Sequence, residues 1–293
     1  MSTAPKHAPI ILLGMHRSGT TMVAELLDRL GLFLGQELES NHEALYFLEL
    51  DGQLFARCNA AWDQPAPMIA FFEHRDAVEL TRRAVEADLE SKNFRAFVGW
   101  KQYLKNGGVS GIDRRWGFKD PRAVFTLPLW LQVFPDATLV AVQRNGIDVA
   151  NSLFTREKKR LAHQREVFER RIARRALHRR FERAAYKGSP RCLSFDGAFS
   201  LWEEYVARLD TVLGQANRPT FHVHYENFVA SPREPLAALA AFCGLDGFSP
   251  ADFDAAIAEV DSSRGNAFKQ AQPTPEIERA LASPWMKKLG YSS

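Results

Sequence analysis

The sequence predicts an α/β protein, a three-layer sandwich with a central mainly parallel sheet and helical insertions. Two observations carry this. Short apolar or β-branched runs at Ile10 to Leu13, Thr138 to Gln143 and Thr220 to Tyr225 each lead into a stretch whose apolar residues recur at helical spacing. At 293 residues, 46% of them hydrophobic and 25% charged, the chain can bury a substantial core as one domain, 1–293, with insertions.

Taken in order, "IILL" at Ile10 to Leu13 reads as a buried strand. It passes through a loop bounded by Gly14 and Gly19 into a helix over Ser18 to Leu30, with Met22, Leu26, Leu27 and Leu30 on one side. Trp116 to Phe118 is a short strand leading into "KDPRAVFTLPLWLQVF", where Asp120 is expected to cap a helix with Pro121 at its first position. "TLVAVQ" ends at the turn "RNG", and Asn145 with Asp148 has the spacing of a helix cap with an acid at the third position. "TFHVHY" is the last strand, followed by a loop and a helix that Gly244 closes. There is no internal repeat and no low-complexity linker.

Charge is distributed unevenly. The net charge is only +3, yet the stretch Arg156 to Lys187 is rich in Arg and Lys with few acids, leaving the remainder acidic on balance. This basic helical insertion, 156–187, reads either as a solvated helical face or as a peripheral contact for an anionic surface. It lacks the regular aromatic interleaving of a nucleic-acid site, so no nucleic-acid partner is expected. No apolar stretch approaches the roughly 20 residues that span a bilayer, and the N-terminus lacks the features of a signal peptide. Cys58, Cys192 and Cys243 lack metal-type spacing and read as reduced thiols, so a cytoplasmic location is expected.

The loop "GMHRSGTT" carries the first chemistry. Successive backbone N–H groups at a helix N-terminus form an anion site, and Ser18, Thr20 and Thr21 add hydroxyl donors. A nucleoside triphosphatase loop would place Lys where this chain has Thr20. Positive charge must then come from His16 and Arg17, and there is no obvious aspartate at a strand end to hold a nucleotide's Mg²⁺. In "AVQRNGIDVANSL", Arg144 follows a strand and Ser152 lies eight residues on, two turns into the next helix. A guanidinium fork with a hydroxyl suits a phosphate monoester at the carboxyl ends of the strands. Each element alone also has a structural reading, a ligand-free turn for the loop and a surface ion pair for Arg144.

Together, "GMHRSGTT", "RNGIDVANSL", "WGFKDPR" and "VHYENFVASP" resemble the sulfotransferases that use 3'-phosphoadenosine 5'-phosphosulfate, in particular bacterial members, over about Ile10 to Leu245. The resemblance implies a P-loop nucleoside-triphosphatase-like fold and sulfuryl transfer to a hydroxyl or amine. It makes the first loop (Gly14, His16, Arg17, Ser18, Gly19, Thr20, Thr21) the 5'-phosphosulfate site and assigns Arg144 and Ser152 to the 3'-phosphate. The nucleotide is then a donor substrate, with no metal required in principle. The competing reading is a P-loop nucleotide kinase or triphosphatase acting on a phosphorylated small molecule.

In-line transfer needs a base on the acceptor, cations on the sulfonate and stabilisation of the leaving phosphate. In "ESNHEALYFLELDGQLF", Glu43 matches the family's acid ahead of a helix bearing Phe47, Leu50, Leu54 and Phe55, so the resemblance makes it the base. A helix first-turn acid is the structural alternative, and His42 and Glu49 are the fallback bases. Arg17, His16 and Lys119 are the cations expected at the reacting group, whereas Lys119 and Arg122 also read as ion-pair residues. Glu226 reads as a structural acid at a strand end. Arg264 and Lys269, in "SSRGNAFK", are faintly similar to the family's C-terminal segment over the 3'-phosphate. The acceptor, whether small molecule, glycan or lipid, is not written in these residues; "WDQPAPMIAFFEH" reads as core, loop or acceptor wall.

Overall fold

The computed structural model describes residues 6–173, 186–262, 265, 268 and 274–291. Four short strands, β1 (Ile10–Leu13), β2 (Gly117–Lys119), β3 (Thr138–Gln143) and β4 (Thr220–His224), form a sheet in the order β2-β1-β3-β4. Every pairing is parallel, with Leu12 opposite Lys119 and Val140, and Gln143 opposite His224.

Six helices lie between β1 and β2: α1 (Thr20–Arg29), α2 (Leu45–Arg57), α3 (Ala66–Phe71), α4 (Arg75–Glu90), α5 (Arg95–Val98) and α6 (Trp100–Asn106). One helix, α7 (Ala123–Val133), joins β2 to β3, and α8 (Gly146–Ala173) and α9 (Phe195–Ala216) separate β3 from β4. The remainder is α10 (Tyr225–Ala230), α11 (Arg233–Phe242), α12 (Pro250–Ile257), α13 (Pro275–Leu281) and α14 (Pro284–Lys288). An all-parallel sheet flanked by helices is the α/β architecture the alternating pattern predicts.

The chain divides into two compact units, Met1–Arg144 with Tyr205–Ala267, and Asn145–Glu204 with Phe268–Ser293. The first contains the whole sheet. Ile10, Leu12, Val140 and Val142 pack with Val23, Leu26 and Leu27 of α1 and Leu236 and Leu239 of α11 in one core cluster. A second, aromatic cluster centres on Phe47, whose ring stacks on Phe118 at 4.0 Å and meets Trp130 and Phe97 edge-on at 5.4 and 5.1 Å. Edge-to-face and offset contacts of this kind add to the free energy of burial.

In the second unit, Asn145 caps α8 as expected, its Oδ1 accepting the Ile147 N–H at 2.9 Å. Helix α8 runs unbroken from Gly146 into the basic segment. The fully buried Glu157 organises that region. Its carboxylate accepts from the Tyr186 hydroxyl at 2.7 Å and the Ser189 N–H at 3.1 Å, and pairs with Arg156 and Arg160. Further along, Arg165–Glu169 and Arg170–Glu166 pair at i,i+4 on an exposed surface. Residues 174–185 of the segment lie outside the described residues, as do Arg264 and Lys269.

Three local expectations are corrected. Helix α7 starts at Ala123, later than a cap at Asp120 would place it, because the Asp120 carboxylate accepts the Arg122 N–H at 2.8 Å and holds a turn there instead. The last strand stops at His224, and Tyr225 opens α10, so Glu226 is a buried first-turn acid rather than a strand-end one. Trp116 precedes β2, joined to Phe33 by an isolated bridge. The expected close of α11 holds: Gly244 sits at φ 65° and the Leu245 N–H reaches the Ala240 carbonyl at 2.9 Å.

Candidate active site

The loop after β1 is shaped by two glycines. Gly14 lies so close to β3 that a Cβ there would stand 2.7 Å from the Val142 carbonyl oxygen. Gly19, at φ 97°, begins α1, and a Cβ on it would meet the Tyr225 ring at 2.3 Å. Between them Arg17 is also left-handed, at φ 69°, and exposed. Left-handed residues alternating with ordinary ones, as Arg17 and Gly19 do around Ser18, can turn backbone N–H groups toward one concavity at the positive end of a helix.

The hydroxyls divide their work. Ser18 donates to the Met15 carbonyl at 2.6 Å, so in this structure it braces the loop from within instead of offering its proton to an anion. Thr20, at the position where a triphosphatase has Lys, is buried, whereas Thr21 is half-buried and accepts from Lys119 Nζ at 3.4 Å. His16 is half-buried, its ring edge-on to Trp62 at 4.9 Å and to Tyr205 at 6.2 Å. The Tyr205 hydroxyl donates to the Trp62 carbonyl at 2.8 Å and completes that aromatic wall.

Arg144 follows β3 directly, next to the strand that feeds the loop. Its Nη1 donates to the Arg17 carbonyl at 3.2 Å, and its guanidinium lies 4.4 Å from the Tyr225 ring centroid. The second cationic element is thus built against the loop itself. Tyr225 is a residue that sequence reasoning did not single out, although it ends the noted "VHY" stretch; it touches both Gly19 and Arg144. Ser152 is half-buried on α8 and belongs to the second unit.

At the end of β2, Lys119 and Glu43 form a buried ion pair. Lys119 Nζ donates to Glu43 Oε1 at 2.8 Å, to the Asn41 carbonyl at 2.7 Å and to Thr21, with the two side chains 1% and 9% exposed. Burial raises the Glu43 pKa above the ordinary carboxylate value; the Lys119 charge and hydrogen bond oppose this, and Asp120 and Glu39 reinforce it. Glu43 stands ahead of α2, which starts at Leu45 with Ala44 as cap, so it is not a helix first-turn acid. His42, at φ 57°, turns its ring nitrogens to Glu25 and Asp28, each at 3.5 Å. Glu49 is exposed on α2.

Behind the pair, Arg122 grips Asp120 at 2.8 Å and donates to the Leu48 carbonyl at 2.5 Å. Asp51 is fully buried nearby, and its Oδ1 accepts from Thr126 at 2.8 Å and Trp130 at 3.1 Å. Its pKa is pushed up to about 8 by burial and by Asp120, against the pull of Arg122. Among the described residues no cluster of three or more His, Cys, Asp or Glu is arranged to hold a metal, and no helix is long and apolar enough to cross a membrane.

The sulfotransferase domain of the Synechococcus PCC 7002 olefin synthase has a similar fold, at 16% identity and a TM-score of 0.53, with 99% of this chain and 98% of that one covered. The sulfotransferase domain from the curacin biosynthetic pathway is comparable, at 16% identity and 0.52 over 98% and 99% of the two chains. No curated protein gives a significant sequence match. The sulfotransferase family model matches residues 9–250, taking in the loop, the Lys119–Glu43 pair and Arg144, and the chain belongs to that family.

Proposed function

We propose that this sulfotransferase draws its sulfuryl group from 3'-phosphoadenosine 5'-phosphosulfate and passes it to a hydroxyl or amine acceptor by in-line transfer. The observation that carries the donor assignment is the contact between Arg144 Nη1 and the Arg17 carbonyl. It sets a guanidinium beside the anion loop at the carboxyl ends of neighbouring parallel strands, where open α/β sheets bind ligands. A donor with a phosphosulfate at one end and a phosphate monoester at the other matches two such elements. It has no γ-phosphate for a lysine at position 20 to grip.

In this reading the backbone from Gly14 to Gly19, with Thr20 and Thr21, holds the 5'-phosphosulfate. His16 and Arg17 supply its positive charge, and Arg144 takes the 3'-phosphate. The S–O bond to the 5'-phosphate breaks as a new bond forms from the acceptor oxygen to sulfur, and the acceptor proton passes to Glu43. Lys119 and Arg17 offset the charge on the sulfonate and the departing phosphate. Burial that raises the Glu43 pKa supports the role, because a base works best when its pKa approaches the operating pH. The donor itself calls for no metal in this chemistry.

A cytoplasmic location is part of the proposal and fits three free thiols. The i,i+4 pairs on α8 support a solvated face for the described part of the basic segment over an anionic contact.

The test is thermal stabilisation by adenosine 3',5'-bisphosphate without magnesium. At ~100 times the dissociation constant, linkage adds roughly 2.7 kcal/mol, a shift of a few degrees for a protein of this size. A larger shift with ATP and magnesium would favour the kinase or triphosphatase reading and sink this one.

A further inference from the structure

One face of α2 is not spent on the core. Tyr46, Phe47, Asp51, Leu54 and Phe55 are buried, while Leu45, Leu48, Gly52 and Ala56 recur at helical spacing along a stripe that faces a cavity of about 680 Å³. Across the cavity stand His16 and Trp62. His16 therefore belongs both to the anion loop and to the cavity wall. Such a volume is in the range of small-molecule sites, which are mostly apolar with a few placed polar groups.

The chemistry of the wall selects among acceptors. Leu45 is 40% exposed, a large apolar side chain left open toward this space. The polar side chains around the cavity are His16, Glu49 and Arg122, and Arg122 is already committed to Asp120 and the Leu48 carbonyl. A sugar would bring a ring of hydroxyls with few partners to meet them, and each unmatched polar group is costly to bury. A carboxylate or phosphate would meet the exposed Glu49 and a cation whose charge Asp120 already balances. An apolar body ending in one hydroxyl matches both the wall and its polar end.

We propose that the acceptor is an apolar alcohol, its hydrocarbon body against the α2 stripe and Trp62 and its hydroxyl at the His16 end. This rests on the donor reading above. The alcohol oxygen forms the new bond to sulfur, the bond from sulfur to the bridging phosphate oxygen breaks, and the alcohol proton passes to the carboxylate base. The products are an alkyl sulfate and adenosine 3',5'-bisphosphate.

The experiment has two arms on the full chain. Calorimetry with adenosine 3',5'-bisphosphate tests the donor site, and labelled 3'-phosphoadenosine 5'-phosphosulfate is offered with decanol or with methyl glucoside. Decanol should be sulfated in preference to the glucoside. Filling the cavity with Ala56→Phe should raise the decanol KM by roughly 10-fold or more, as pocket blocks of this size do, while bisphosphate affinity stays unchanged. Ala56 is exposed on α2, so the variant should fold; Leu45→Trp, at the other exposed position of the stripe, is the second block should it not. Bisphosphate binding with preference for the glucoside, or a decanol KM indifferent to both blocks, overturns the acceptor assignment and leaves the donor reading standing. Absence of bisphosphate binding overturns both.

Discussion

Lys119 Nζ and Glu43 Oε1 meet at 2.8 Å in a setting almost closed to solvent, although 76 residues separate them in the chain. The pair joins a strand end to the segment entering α2. A buried ion pair broken on one side leaves an uncompensated charge, at a cost of about 3–5 kcal/mol. Lys119→Met should therefore lower stability in urea unfolding by that order, and Glu43→Gln by less, since the amide oxygen can still accept from Lys119. Equal stability of Lys119→Met and the parent would show that the pair is dispensable.

Glu43→Gln should separate binding from chemistry. General-base catalysis contributes about 10² to 10⁴ in rate, so turnover should fall by that order while bisphosphate affinity stays nearly intact. The loss should be largest on an alcohol and shrink on an acidic phenol, which ionises unaided. A variant that keeps its turnover on alcohols would move the base to Glu49, since His42 is turned to Glu25 and Asp28.

The raised Glu43 pKa gives the pH dependence its sign. The carboxylate is the active form, so kcat should climb with pH until Glu43 is ionised, and this limb should lie above the ordinary carboxylate range. Steady-state profiles of the parent and Glu43→Gln check it; the same acidic limb in both would assign it to another group.

Asp51 makes a second, independent pH statement. Its folded pKa of about 8 exceeds its ordinary value of 3.8, so between these limits the folded state binds more protons than the unfolded one. Stability from this group is complete below about 3.8 and is lost as pH rises toward 8. Asp51→Asn, which keeps an oxygen for Thr126 and Trp130, should flatten that decline and match or exceed the parent at pH 8 in denaturant unfolding. An unchanged slope would mean that Asp51 is ionised when folded.

Arg144→Ala should weaken adenosine 3',5'-bisphosphate by about 2–5 kcal/mol, the usual loss for a desolvated charge pair, and adenosine 5'-phosphate much less. Because Arg144 also holds the Arg17 carbonyl, a small effect on the 5' ligand is expected as well. Equal losses for both would place Arg144 in loop support alone.

The sheet and the glycine-bounded turn from β1 into α1 were legible because each is written locally. Buried parallel strands show as apolar runs, and the loop shows as glycines between a strand and a helix. What escaped depends on distant partners. Nothing near Lys119 announces Glu43, and Asp51 looks like any helix aspartate until Thr126 and Trp130 close over it. Asp120 misled for a different reason: a short acid before Pro reads as a cap, yet its carboxylate is taken by the backbone and guanidinium of Arg122. Tyr225 was hidden because its two contacts, Gly19 ahead of α1 and Arg144 after β3, lie far apart in sequence.

The division of α2 into a buried face and an open stripe has an evolutionary consequence. Leu45, Leu48, Gly52 and Ala56 line the cavity, whereas Phe47, Asp51 and Leu54, on the inner face, carry the packing. Substitutions at Leu45 and Ala56, the exposed positions of the stripe, can reshape the cavity at little cost to folding, since exposed helix positions usually tolerate change within about 0.5 kcal/mol. Descendants of this chain could thus diverge in acceptor preference by drift along a single helix, while the sheet, the loop and the Lys119–Glu43 pair stay fixed.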